Sequence, residues 1–127
     1  VAELHVELVA ADRSVWSGEA TRVIARTPSG DIGIMPGHQP LLTVLVSGPV
    51  TIRTADGTGE GTVVAAVHGG FISFADNKLS LLAEIAELSD EIDVERAERA
   101  LERAKSDADA EAERRAEVRL LAVAGVR

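Results

Sequence analysis

Three histidines, His5, His38 and His68, are the residues with the most obvious chemistry in this chain. They are far apart and lack paired spacing of the HExxH kind. No cysteine and no carboxylate motif accompanies them, so a metal centre is not indicated. The serines, Ser14 and Ser17 among them, lack a G-x-S-x-G elbow, which argues against a hydrolase triad. Glycines 57, 59 and 61 form G-x-G-x-G, but no helix follows, so the pattern reads as a hairpin tip rather than a phosphate loop. A small enzyme built on His38 and nearby carboxylates has nothing else to support it. The stretch Ile92-Asp93-Val94-Glu95-Arg96-Ala97 reads as a helix start, with Asp93 as its cap and exposed charges behind it.

These residues sit in a chain of 127 residues, enough for one medium domain or a small domain with an appendage. Hydrophobic residues make up 46% of it and aromatics 2%, so the core must be built from Val, Leu, Ile and Ala. A net charge of −8 disfavours nucleic acid and anionic lipid as partners. No apolar run approaches the roughly 18 residues that cross a bilayer. The N-terminal stretch lacks a basic region followed by an apolar one, so no signal peptide is expected. The absence of cysteine excludes a disulfide scaffold and is compatible with the cytoplasm.

The positioning elements change character near residue 89. Before it, Leu4, Val6, Leu8 and Ala10 alternate with Glu3, His5, Glu7 and Val9, the period of a half-buried strand. Further runs lie at 14–16, 20–26, 31–35, 41–46, 50–54, 62–67, 71–74 and 78–85. Turn chemistry bounds them: Trp16-Ser17-Gly18, Pro28-Ser29-Gly30-Asp31, Ser47-Gly48-Pro49, Asp56-Gly57, Gly69-Gly70 and Asp76-Asn77. Many short strands without intervening helix predict an antiparallel sandwich or barrel rather than a parallel βαβ sheet.

After residue 89 the period becomes helical. Val94, Ala97, Leu101, Ala104 and Ala108 form one apolar stripe. The pattern allows one helix to about residue 123. It also allows a break at 106–109, with Ser106 or Asp107 capping a second helix whose stripe is Ala112, Ala116, Leu120 and Val123. A hairpin lets the two alanine-rich stripes cover each other. Small contacts bury little area, so such a hairpin would be lightly held.

The segment Gly30-Asp31-Ile32-Gly33-Ile34-Met35-Pro36-Gly37-His38-Gln39-Pro40-Leu41-Leu42 concentrates glycine and proline where a turn must be stiff or a neighbour must come close. With HGGFISFADNKLSLLAE at 68–84, EIDVERAERALERAK at 91–105 and the opening LHVELVAADRSVWSGEATRV, it closely resembles the epsilon subunit of the F-type ATP synthase. The resemblance covers nearly the whole chain, and G-x-x-P-G-H-x-P-L-L is its most specific part.

The resemblance implies an α+β architecture: an antiparallel β-sandwich of about ten strands over residues 1–88, then an antiparallel two-helix hairpin over 89–127. It implies a non-catalytic rotor subunit in the F1 sector, peripheral at the cytoplasmic face of the cell membrane. The sandwich would bind the gamma subunit and the c ring. The helices would fold on the sandwich or rise toward the alpha/beta catalytic hexamer and brake ATP hydrolysis. Contacts with the rotor are implied for Asp31, Ile34, Met35, Pro36, Gly37, His38, Gln39, Pro40 and Leu42. The family's I/L-D-x-x-R-A motif for regulatory ATP maps onto Ile92, Asp93, Arg96 and Ala97, with Arg103 as a second phosphate-facing arginine. Arg115 and Arg119 are further candidate phosphate contacts. No cofactor is required by this reading. The alternative is a free-standing adenine-nucleotide sensor.

Overall fold

The computed structural model describes residues 3–55 and 61–124, so the turn expected at Asp56-Gly57 lies outside the described residues, as do two of the three glycines of the expected hairpin tip. Among the described residues nine strands are present: β1 (Leu4–Ala10), β2 (Arg13–Thr27), β3 (Gly30–Ile34), β4 (Leu41–Leu45), β5 (Gly48–Thr54), β6 (Thr62–Val67), β7 (Gly70–Ala75), β8 (Lys78–Ala83) and β9 (Ala86–Leu88). A single 3-10 turn, Ser89–Glu91, leads to helices α1 (Val94–Ser106) and α2 (Ala110–Ala124). The strand path is β4-β7-β8-β1-β2-β5-β6-β9, with β3 paired to β2.

The alternation in β1 is realised: Leu4, Val6, Leu8 and Ala10 are buried, and the residues between them are not. The count is nine rather than ten, and the runs divide differently. The runs at 14–16 and 20–26 are one long strand, the run at 78–85 stops at Ala83 as β8, and β9 follows it outside any expected run. The turn expected at Trp16-Ser17-Gly18 is absent. Ser17 and Gly18 pair with Glu7 and Val6, and the reversal is at Ala11-Asp12 instead. Gly18 serves another purpose. A Cβ there would come within 2.9 Å of the Trp16 ring, so glycine makes room for the indole to lie along the strand.

The long β2 joins the two layers. Its first half pairs with β1, and its second half pairs with β3 and β5, past a bulge between Ala20 and Arg22. The sheet is mixed, because β1 runs parallel to β8 from His5↔Lys78 to Ala10↔Ala83. A purely antiparallel sandwich is thereby corrected. The core lies between the layers and is aliphatic, with Phe74 as its large aromatic member and residues from every strand.

The helices form the hairpin and not one rod. The break is a Schellman motif: Asp109 N–H donates to Ala104 O at 2.9 Å, and Ala108 N–H donates to Lys105 O at 3.3 Å. Ala108 takes the left-handed position, φ 51. The second cap is neither Ser106 nor Asp107. It is Asp109, whose Oδ1 accepts from Ala112 N at 3.1 Å. α2 lies on β5 and β6, with α1 packed against it. Because α2 is covered on two sides, its buried residues are Ala116, Val118 and Ala122 rather than a single stripe. Val118 and Ala122 cluster with Val64, Ala66, Ile92 and Ala97.

Candidate functional site

Two places combine exposure with chemistry. The first is the outer face of β4, β7, β8 and β1. Register places Val44 opposite Phe71, Phe71 opposite Leu82, and Leu82 opposite Val9, one apolar row across four strands. Phe71 is 57% exposed, Leu82 53% and Val44 44%, while their neighbours Leu45, Ile72 and Leu81 fill the core behind them. Leu42, 76% exposed, begins the next row, and Ile85 stands exposed just past β8. Large apolar residues aligned on one exposed face mark a surface that another molecule covers.

The stiff segment borders this face. Met35 to His38 form a type II turn: His38 N–H donates to Met35 O at 3.1 Å, with Pro36 and Gly37 at the centre and Gly37 at φ 85. Gly37 N–H also donates to Asn77 Oδ1 at 2.8 Å, which ties the turn to the Asp76-Asn77 hairpin between β7 and β8. The His38 ring stands edge-on to Phe74, centroids 5.9 Å apart, and its Nδ1 lies 2.7 Å from Gln39 O. These ties fix the loop before anything docks on it, which lowers the ordering cost of contact.

Of the residues expected to meet a partner, Asp31, Met35, Gly37, Gln39, Pro40 and Leu42 are exposed, and Pro36 and His38 are half-buried. Ile34 is corrected: it is fully buried and belongs to the core, because it alternates inward at the end of β3. Asp31 is at the far end of that strand, 3.2 Å from Arg26 Nε. Gly30 takes a positive φ of 115, whereas Gly33 sits in ordinary strand conformation. Sequence reasoning missed Val44, Phe71, Leu82 and Ile85. The signal was present: Phe71-Ile72 and Leu81-Leu82 are apolar at both parities, as in strands covered on both faces.

The second place is a cleft of about 320 Å³ at the root of the hairpin. Ile92, Asp93, Arg96, Ala97 and Arg103 all line it, and α2 adds Arg119. Arg115 does not line it. Asp93 caps α1, its Oδ1 accepting from Arg96 N at 3.1 Å. Two further lining carboxylates are held by arginines. Arg119 Nε donates to Glu87 Oε1 at 2.6 Å, and Arg13 donates to both Glu91 oxygens at 3.0 and 2.9 Å. That guanidinium holds the Glu91 carboxyl below its usual range, with the Leu88 N–H helping. The guanidiniums of Arg96 and Arg103 also line the cleft and can offer charge-assisted hydrogen bonds, the chemistry that holds phosphate. The size suits a small-molecule site.

The histidines are dispersed. His5 is an exposed rung between Glu19, at 2.8 Å, and Glu7, at 3.4 Å, and these hydrogen bonds raise its pKa above the ordinary value. Among the described residues no group of histidine, aspartate and glutamate is placed to hold a metal.

Residues 3–89 match the family described as ATP synthase, Delta/Epsilon chain, beta-sandwich domain. The chain is 85% identical over 123 residues to the ATP synthase epsilon chain of Streptomyces griseus, covering 97% of each. It is 51% identical over 117 residues to that of Thermobifida fusca, covering 91% of this chain and 85% of the relative. Its fold superposes on a chain of the Euglena gracilis mitochondrial ATP synthase, OSCP/F1/c-ring, with a TM-score of 0.75 at 21% identity, over 99% of this chain and 80% of that one. A chain of the Tetrahymena thermophila mitochondrial ATP synthase central stalk/c-ring gives 0.58 at 18% identity, over 96% and 97%. At these identities the structures speak for the fold alone.

Proposed function

The chain belongs to the ATP synthase epsilon-chain family, and we propose that it is a non-catalytic rotor subunit of the central stalk, coupling proton-driven rotation to ATP synthesis and regulating hydrolysis through its helices. It works at the cytoplasmic face of the membrane as a peripheral part of the F1 sector, attached through its partners. Among the described residues no helix is long and apolar enough to cross a bilayer. The observation that carries the reading is the exposed row Val44, Phe71 and Leu82, bordered by the tied turn at 35–38. An aliphatic and aromatic face of this kind would grip the gamma subunit, and the turn would meet the polar loops of the c ring. The helices, held by small residues, would exchange this docked position for one that reaches toward the alpha/beta hexamer. A two-position element moves only if its contacts differ between the positions. Co-purification with gamma and the c ring tests the assignment. Intact binding by a Phe71→Ser, Leu82→Ser double variant would remove this face from the interface.

A second reading concerns the cleft. The four residues of the expected ATP motif, Ile92, Asp93, Arg96 and Ala97, line it together with Arg103. Asp93, with one oxygen engaged in the cap, offers the other to an adenine amino group, and Arg96 and Arg103 offer donors to phosphate. Bound nucleotide would span the helix start and α2 and hold the hairpin down. Calorimetry with Mg-ATP on the purified chain is expected to show binding that Arg96→Ala abolishes. No heat and no thermal stabilisation at millimolar nucleotide would end this reading without touching the rotor assignment.

A further inference from the structure

The joint between α2 and the sheet contains a buried histidine that neither reading uses. His68 follows β6 directly, and its backbone N–H continues the ladder to Ile85 O at 3.0 Å. By strand alternation it extends the row Val64, Ala66, His68, the face on which Val118 and Ala122 of α2 sit. Glu87 pairs laterally with Ala66 and shares that face. The His68 ring is buried, and neither nitrogen has a hydrogen-bond partner among the described residues. Its Nε2 lies 3.5 Å from Glu87 Oε1, the same oxygen that Arg119 of α2 holds at 2.6 Å.

We propose that His68, Glu87 and Arg119 form a proton-sensitive latch that keeps α2 on the sheet while His68 is neutral and loosens it when His68 is protonated. The charged groups facing the ring are Glu87 from β9 and Arg119 and Arg115 from α2. A proton on His68 acts on all of them. The imidazolium competes with Arg119 for one carboxylate oxygen. It also places a third positive charge beside the two arginines that α2 brings down. Withdrawal of α2 relieves both effects and returns the ring to water. Burial, the Arg119 charge and the Arg115 charge together outweigh the pull of Glu87 and lower the His68 pKa in the docked state. The sign follows from linkage. The undocked state takes up its proton first as pH falls, so docking is full above the ordinary histidine value and weakens below it. The idea deepens the two-position reading of the hairpin, but it concerns the strength of docking and can be measured without any partner.

The test uses the full chain, with the His68 ring followed by NMR and α2 followed by amide exchange corrected for the intrinsic rate. Protection of α2 relative to β1 is expected to fall as pH drops below about 6.5, by at most about tenfold per pH unit, the limit for one linked proton. His68→Gln should dock at about pH 8 and lose that dependence. Arg119→Gln should move the His68 midpoint up, because it removes a repelling charge and frees Glu87. Constant α2 protection from about pH 8 to 5.5, or the same pH dependence in His68→Gln, overturns the latch. Should His68→Gln fail to fold, the midpoint in Arg119→Gln decides: an unmoved midpoint overturns it. Failure here leaves the gamma-binding face, on other strands, unaffected.

Discussion

Phe71→Ser separates a residue kept for the fold from one kept for a partner. Phe71 is 57% exposed in the free chain, so just over half its surface is still to be buried. A phenylalanine offers roughly 200 Å², which leaves about 115 Å² for a partner to cover. At about 25 cal/mol per Å² this area contributes nearly 3 kcal/mol to association when it is fully desolvated. The expected loss of affinity for a gamma–c-ring assembly is then roughly 100-fold. The free chain should hardly notice. Its core is filled from the other side of β7 by Ile72 and Phe74. What it loses is cross-strand contact with Val44 and Leu82, below about 1 kcal/mol. Titration of purified chain onto immobilised gamma and c ring, alongside a thermal melt of the chain alone, gives both numbers. Affinity within about threefold of the unmodified chain, with the fold intact, would refute the reasoning from exposure.

Gly70→Ala should cost about 3 kcal/mol in chemical denaturation, because Gly70 sits at φ 146 and a Cβ there would run into the Leu82 carbonyl. Ala108→Gly should stabilise the hairpin by about 1 kcal/mol, since the C′ position of the Schellman motif is left-handed and favours glycine; slower amide exchange at the ends of α1 and α2 would report it. Asp109→Ala should cost about 1 kcal/mol through the lost cap, seen as faster exchange confined to the first turn of α2. In an NMR titration His5 should lose its proton above the ordinary histidine value and His68 below it. The stability His5 contributes is present below the ordinary value and is lost as pH rises through its raised one; the opposite order of midpoints would contradict the assigned contacts.

Local periodicity made much of this architecture readable. Leu4, Val6, Leu8 and Ala10 announced their strand because its two faces differ in polarity, and Asp76-Asn77 announced a hairpin because both residues tolerate the left-handed region that a two-residue turn needs. The errors arose where distant parts of the chain decide. Gly18 looked like a turn residue, but its role is to admit the Trp16 ring. Val118 fell outside the expected stripe because α2 is covered by α1 and the sheet at once. Ile34 sits in a segment rich in turn residues yet points inward, since β3 runs right up to it. The cleft was half legible: the motif gave its α1 wall and Arg119 was among the expected contacts, while Arg115 lies outside the lining and Glu87 came from an element whose meeting with the helices no local pattern encodes. The exposed row was hidden because register, not sequence distance, sets Val44, Phe71 and Leu82 side by side.

The parallel pairing of β1 with β8 sets the order in which this chain can be finished during synthesis. Strand β1 leaves the ribosome before the other described strands yet occupies the middle of the strand path, and one of its two edges is reserved for residues 78–83. Until that segment emerges, Leu4, Val6 and Leu8 have only half a floor beneath them. A nascent chain halted before Lys78 therefore cannot close its layers, whatever its length. The hairpin helices appear after all of these strands, and they arrive on a sandwich that has only just become able to receive them.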